Sequence, residues 1–96
     1  MPILRIEHAI SDFDVWKEAF DRDPVNREQS GVRRYRILRP TDDPNYVLID
    51  LEFDSAREAE ALRVALHDLW QSPQAAPALA GSPQARIVEA VESKEY

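Results

Sequence analysis

One stretch of sequence decides the fold: VRRYRIL (residues 32–38), RPTDDPN (39–45) and YVLIDLEF (46–53), in that order. The first and third segments are rich in β-branched and aromatic residues, which favour strands. The segment between them holds two prolines, two aspartates and an asparagine, which are typical of turns. The stretch therefore predicts a β-hairpin against which the rest of the chain packs.

The residues before the hairpin predict a strand and a helix. Side chains alternate between two faces from Ile3 to Ala9, as in a strand with one apolar face. A side-chain cap then introduces a helix from about Asp12 to Arg22. Its apolar residues recur at helical spacing: Phe13, Trp16, Ala19 and Phe20. Pro24 to Ser30 is consistent with a short second turn that ends at Gly31.

The residues after the hairpin predict a longer helix and a last strand. Ser55 and Glu58 form a capping box, and apolar residues follow at helical spacing, so a helix is predicted from Ser55 to Gln71. Residues 72–83 hold three prolines and predict an irregular connection with at most one helical turn. A strand follows from Gln84 to Val91, and Ser93–Tyr96 is a polar tail.

The resulting β-α-β-β-α-β order is the ferredoxin-like arrangement. We expect a single α+β domain over residues 1–96, a sandwich with a four-stranded antiparallel sheet and both helices on one face. The other face is predicted to carry Ile3, Arg5, Glu7, Val32, Arg34, Arg36, Tyr46, Leu48, Asp50 and Glu52. One face of an antiparallel sheet can be solvated, but this face carries more apolar side chains than a solvent-exposed face needs. We therefore predict a homodimer that packs sheet on sheet.

The composition argues against several classes of partner and site. A net charge of −6 argues against nucleic acid and anionic membranes, and the first strand lacks the stacking aromatics of RNA-binding domains with the same order. Without cysteine there is no thiolate metal site or cysteine nucleophile. Two histidines without metal-binding spacing and only two glycines argue against metal sites and phosphate-binding loops. No apolar run suggests a signal peptide or membrane span, so we expect a cytoplasmic protein. We also expect no cofactor.

The chain resembles the dimeric α+β barrel superfamily in its length and in its element order. It also resembles that superfamily in the run from Gly31 to Arg36, which leads through a Pro/Asp turn into residues 46–53. That group includes small antibiotic-biosynthesis-type monooxygenases, polyketide cyclases, muconolactone isomerases and stress-responsive barrel proteins. The chain looks most like small actinobacterial-type members to which no activity is assigned. The resemblance implies a ligand cavity between the sheet and the helices of each protomer. Haem-degrading members use an Asn, Trp and His arrangement, and the first strand here offers no Asn, so haem is not expected.

The implied cavity directs attention to the helix-facing side of the sheet. Only His8, Arg33 and Tyr35 interrupt its apolar pattern. A histidine with a pKa near neutrality can act as a general base, and a phenol can donate to a developing oxyanion or enolate. His8 and Tyr35 are therefore the catalytic candidates. The ligand-binding candidates are Arg33, Trp16, Trp70 and Phe53.

These candidates also have purely structural interpretations. His8 could be a boundary residue at a strand end, and Tyr35 could bury its ring while its hydroxyl reaches water. Trp16 and Trp70 lie on apolar helical stripes, which are typical of a core. His67 lies beside Asp68 and is typical of a histidine at a helix edge.

Two functions follow. One is a cofactor-independent monooxygenase, cyclase or isomerase that acts on an apolar aromatic or polyketide-like molecule. The other is a non-catalytic dimeric module that binds a hydrophobic small molecule or a partner protein, for example in a stress response. Catalysis requires an open cavity that reaches His8, whereas a module can fill that space with Trp16, Phe20, Leu66 and Trp70.

Overall fold

The structure is a computed structural model that describes residues 1–72 and 81–96. In chain order its elements are β1 (Pro2–Ala9), α1 (Phe13–Asp21), β2 (Val32–Leu38), β3 (Tyr46–Phe53), α2 (Ala56–Trp70) and β4 (Gln84–Glu89). The predicted β-α-β-β-α-β order is confirmed, and both hairpin strands have the predicted bounds. An irregular connection was predicted before the last strand. Its residues 73–80 lie outside the described residues.

The strands form one antiparallel sheet in the order β2-β3-β1-β4. Strands β1 and β3 are therefore central, and β2 and β4 are the edges. The helices cover one face of the sheet. We call the other the open face, and it carries Ile3, Arg5, Glu7, Arg34, Arg36, Tyr46, Leu48, Asp50 and Glu52.

The helix-covered face builds the hydrophobic core. Alternate residues of β1 are buried, and so are alternate residues of β3, because successive side chains of a strand point to opposite faces. The buried apolar side chains are Leu4, Ile6, Ile10, Trp16, Val32, Val47, Ile49, Leu51, Phe53, Ala59, Leu62 and Leu66. Each large member contributes roughly 1.5–3 kcal/mol by leaving water, so this cluster holds the helices on the sheet.

Both helices begin at the predicted caps. The Asp12 carboxylate accepts a hydrogen bond from the backbone N–H of Val15 at 3.0 Å. The Ser55 hydroxyl accepts one from the backbone N–H of Glu58 at 3.2 Å, which confirms Ser55 as the cap of α2. These bonds satisfy N–H groups that have no partner inside a helix. They place the apolar stripes of α1 and α2 over the sheet.

The start of β2 differs from the prediction. Val32 lies opposite Phe53 and Arg34 opposite Glu52, so Arg33 is the extra residue of a β-bulge. The bulge turns Val32 towards the helices, where it is buried. The predicted position of Val32 on the open face is therefore wrong, and so is the predicted position of Arg33 on the helix-covered face. Regular alternation failed here because a bulge changes the phase of the strand.

Candidate functional site

His8 lies in the core at the end of β1. It is 4% exposed, and its ring meets the Trp16 ring edge-on with 6.1 Å between centroids. Its Nδ1 lies 2.9 Å from the carbonyl oxygen of Ala9. Because a carbonyl can only accept, Nδ1 carries the proton and Nε2 is the basic nitrogen. Burial lowers the pKa of His8, against a smaller opposing effect of the hydrogen bond to Ala9, so the imidazole is neutral at pH 7.

Tyr35 lies on the same face of the sheet as His8, but two aromatic rings separate them. Trp16 stacks on Phe20 with 5.2 Å between centroids, and Phe20 meets Tyr35 edge-on at 5.1 Å. The ring contacts thus run from His8 through Trp16 and Phe20 to Tyr35. The two cavities that Tyr35 lines do not have His8 in their walls. The structure therefore does not bring the two catalytic candidates together.

Tyr35 is 45% exposed, and one arginine packs against its ring. Arg27 comes from the connection between α1 and β2, and its guanidinium carbon lies 5.2 Å from the Tyr35 ring centre and 3.8 Å from that of Phe20. Its Nη1 donates to the carbonyl oxygen of Phe20 at 2.9 Å. Stacking and this hydrogen bond hold Arg27 in place. The Arg27 side chain thus helps to fix the position of the phenol ring.

A cavity of about 430 Å³ opens beside Tyr35 at the outer edge of β2. We call it the edge cavity. Its lining is Asp23, Arg27, Glu28, Val32, Arg33, Arg34 and Tyr35. The volume lies in the range of small-molecule sites. Two sequence candidates, Arg33 and Tyr35, therefore share one cavity, although it lies beside the sheet rather than beneath the helices.

The two arginines of the bulge are ion-paired but exposed. Arg33 donates from Nε to Asp54 at 2.7 Å, and its Nη2 lies 2.5 Å from the same carboxylate. Arg34 Nε lies 2.6 Å from Glu52. Exposed pairs of this kind contribute little to stability, about 0–1 kcal/mol. Both side chains therefore remain available to a ligand.

The other ligand-binding candidates lie elsewhere. Phe53 is fully buried in the core. Trp16 is buried between the His8 and Phe20 rings. Trp70 packs against the core and lines a cavity of about 170 Å³ with His67. The structure thus disperses these side chains, and none of them lines the edge cavity.

The centre of the open face is an ion cluster around Asp50. Arg5 donates two hydrogen bonds to its carboxylate at 2.7 and 2.8 Å, and Arg36 donates a third at 3.3 Å. Asp50 is 3% exposed. These hydrogen bonds, above all those from Arg5, hold the pKa of Asp50 below its usual value although burial acts in the opposite direction. The cluster fixes the open face around one buried negative charge.

Sequence reasoning missed Arg27 and the pairing of Asp50 with Arg5. Arg27 lies in a connection between elements, so no periodicity relates it to Phe20 or Tyr35. The pairing of Asp50 with Arg5 depends on the register of β1 against β3. Arg5 and Asp50 were placed on the correct face by alternation, which was the available signal.

No group of three or more His, Cys, Asp or Glu side chains is arranged to hold a metal ion within residues 1–72 and 81–96. In the same part of the chain, no helix combines the length and apolar character that crossing a membrane demands.

Solved structures of other proteins share this fold. An antibiotic biosynthesis monooxygenase is 14% identical over 96% of this chain and 100% of its own, with a TM-score of 0.67. A candidate antibiotic biosynthesis monooxygenase from Nitrosomonas europaea is 21% identical over 96% and 100%, with a TM-score of 0.61. A dimeric ferredoxin-like protein from an uncultured marine organism is 13% identical over 97% and 98%, with a TM-score of 0.63.

This likeness confirms the predicted ferredoxin-like α+β fold. At these identities it establishes the fold alone, because one fold can host many chemistries. No protein-family model and no curated protein matches the chain.

Proposed function

We propose that this protein is a homodimer that binds a small aromatic molecule in the edge cavity, with Tyr35 as the stacking surface. The single observation behind the proposal is the cavity of about 430 Å³ beside the half-exposed ring of Tyr35. Phe20 and Arg27 pack against this ring. A ring with a fixed position and a free surface is well suited to stacking on an aromatic ligand.

The aromatic packing between sheet and helices supports a binding role over catalysis in the enclosed cavity that the family resemblance implied. The rings of Trp16 and Phe20 occupy the region between His8 and Tyr35. Phe53 and Leu66 are buried beside them in the core cluster. The ligand in this proposal therefore lies outside the core.

The dimer in this proposal forms through the open face. Ile3 and Leu48 are partly exposed there, and a second cavity of about 450 Å³ lies between Ile3 and the Asp50 cluster. One solved structure with this fold is described as dimeric. A second copy would cover the apolar side chains and exclude water from the ion cluster.

Sedimentation equilibrium tests the dimer. The protomer mass is 11.0 kDa, so we expect about twice that mass at micromolar concentration, as the two-fold symmetric assembly requires. A single species at the protomer mass would refute the homodimer.

An NMR titration tests the aromatic site, with indole as a neutral planar probe. We expect indole to shift the amide signals of β2 and the ring signals of Tyr35. Tyr35→Leu removes the stacking surface and should abolish these shifts. Tyr96→Leu is the matched control, because Tyr96 is fully exposed. Binding that survives Tyr35→Leu would refute the assignment of Tyr35.

His8 supports a second candidate, a cofactor-independent isomerase, cyclase or monooxygenase. Its imidazole is neutral, and the hydrogen bond from Nδ1 to Ala9 leaves Nε2 as a base. Antibiotic biosynthesis monooxygenases are among the structures with this fold. The simplest step would move a proton from a carbon next to a substrate carbonyl to Nε2 and leave an enolate. Access would require Trp16 to move, because its ring packs on His8.

Hydrogen exchange tests this candidate separately from binding. An enolisable aryl ketone in D₂O should exchange its α-hydrogens faster with the protein than without it, and His8→Gln should remove the difference. Equal exchange with wild-type protein and His8→Gln would exclude His8 as the base.

A further inference from the structure

The bulge in β2 brings two neighbouring arginines to one cavity. In a regular strand, consecutive side chains point to opposite faces of the sheet. Here Arg33 is the extra residue between Val32 and Arg34, and both arginines line the edge cavity. Bulges commonly re-aim a side chain next to a functional site. Two neighbouring cations of β2 thus meet at the bulge and share one cavity.

Both guanidinium groups keep hydrogen-bond donors free. Arg33 uses Nε and Nη2 for Asp54, and its Nη1 amino group has no partner among the described residues. Arg34 uses Nε for Glu52, and neither of its Nη groups has a partner in the described parts of the chain. The planar fork of a guanidinium matches the geometry of a carboxylate. The free donors can therefore bind a carboxylate group of a ligand.

The same cavity also contains a carboxylate that is not neutralised. Asp23 accepts a hydrogen bond from the backbone N–H of Arg27 at 2.9 Å and lies 3.5 Å from its guanidinium. Glu28 is exposed, and no cation pairs with its side chain within residues 1–72 and 81–96. An ammonium group on a ligand would neutralise the Glu28 carboxylate. A simple anion would instead be repelled by Glu28 and by the carboxylates that are already paired with the arginines.

The charges of the lining therefore suit a ligand that carries both signs. A zwitterion adds no net charge to a chain of net charge −6, whereas an anion is repelled by that charge and a cation by the arginines. Tyr35 offers an aromatic surface, and Val32 adds an apolar contact. The cavity of about 430 Å³ has room for one such molecule.

We propose that the edge cavity binds an aromatic α-amino acid. In this arrangement Arg33 and Arg34 bind the carboxylate, Glu28 binds the ammonium group, and Tyr35 stacks on the ring. The inference rests on the proposed aromatic site and adds the polar part of the ligand.

Four indole compounds test the proposal by isothermal titration and NMR. They are L-tryptophan, which carries both charges, indole-3-propionate, which carries the carboxylate, tryptamine, which carries the ammonium group, and neutral indole. We expect L-tryptophan to bind about tenfold or more tighter than each of the others, because each charge-assisted contact is lost in turn. Arg34→Gln should lower the affinity for L-tryptophan towards that for tryptamine, because Arg33 alone then binds the carboxylate. Glu28→Gln should bring it down to that for indole-3-propionate.

Arg39→Gln is the matched control. It removes the same charge close to β2, but Arg39 packs over Phe13 and does not line the edge cavity. Its affinity for L-tryptophan should equal that of the wild type. An equal loss in Arg39→Gln and Arg34→Gln would show a general charge effect and overturn the assignment of Arg34.

The remaining outcomes separate this inference from the proposed function. If indole binds through Tyr35 as tightly as L-tryptophan does, the aromatic site stands and the amino-acid inference fails. If indole-3-propionate binds most tightly, the ligand is an anion and the role of Glu28 is refuted. If none of the four compounds binds, the proposed function fails together with the inference.

Discussion

Removing the buried charge of the open face should destabilise the protein. In Asp50→Asn the carboxylate becomes a neutral amide that cannot accept both hydrogen bonds from Arg5 and the third from Arg36. Breaking a fully buried ion pair costs about 3–5 kcal/mol. In a single protomer the Arg5 side chain is 41% exposed and that of Arg36 is 68% exposed, so water replaces part of what is lost there. We therefore expect a loss of about 2 kcal/mol from the free energy of unfolding.

Urea unfolding followed by circular dichroism at pH 7 measures this loss. A change of about 2 kcal/mol corresponds to about 1 M in the urea midpoint and to roughly 8–16 °C in Tm for a domain of this size. A double-mutant cycle with Arg5→Gln should give a coupling energy of about 1 kcal/mol. All variants are compared at one protein concentration, because the apparent stability of a dimer depends on concentration.

Glu60→Gln provides the matched control. It also removes one carboxylate from an arginine pair, but Glu60 and Arg63 are both exposed on α2. Its urea midpoint should equal that of the wild type. If Asp50→Asn also loses less than about 0.5 kcal/mol, water satisfies both arginines of the cluster and the argument for a stabilising buried charge is refuted.

Three further predictions follow from single residues. Because burial lowers the pKa of His8 below 6.5, protonation favours the unfolded state, and the free energy of unfolding should fall as the pH drops below about 6.5 towards the folded-state pKa. Between about pH 7.5 and 5.5 this fall should be smaller in His8→Gln than in the wild type, and equal falls would contradict the burial argument. Gly31→Ala should cost roughly 1–3 kcal/mol, because Gly31 has φ +103° and a Cβ there would lie 2.5 Å from the Glu58 carboxylate. Gly81→Ala is the control, because apart from its chain neighbours no described atom lies within 4 Å of its Cβ position, and it should leave the urea midpoint unchanged; equal midpoints for the two variants would refute the strain at Gly31. Ser55→Ala should cost about 1 kcal/mol through loss of the cap of α2, and an unchanged midpoint would show that water replaces the hydroxyl.

The fold was predictable wherever the decisive signal is local. The bounds of β2 and β3 follow from the turn residues between them, and the start of α2 follows from Ser55 and Glu58. The position of Val32 was not predictable by alternation, because the bulge appears only when β2 is aligned with β3. A single extra residue is enough to reverse the predicted face of a strand end.

The candidate site was predictable only in part. Alternation placed Tyr35 on the helix-covered face, where it pairs with Leu51. It could not show that Trp16 and Phe20 lie between His8 and Tyr35. That arrangement depends on how the side chains of α1 fill the space above the sheet, and close packing of side chains has no sequence period.

The sequence by itself determined the element order, the sheet topology that this order implies and the apolar face that the helices cover. Each of these follows from capping, turn residues and periodicity, which act over a few residues. The tertiary structure alone decided the register of β1 on β3, which joins Arg5 to Asp50 across 45 positions, and the packing that places Arg27 against Tyr35. The edge cavity belongs to this second class, because its walls come from a connection and a strand that meet only after the chain has folded.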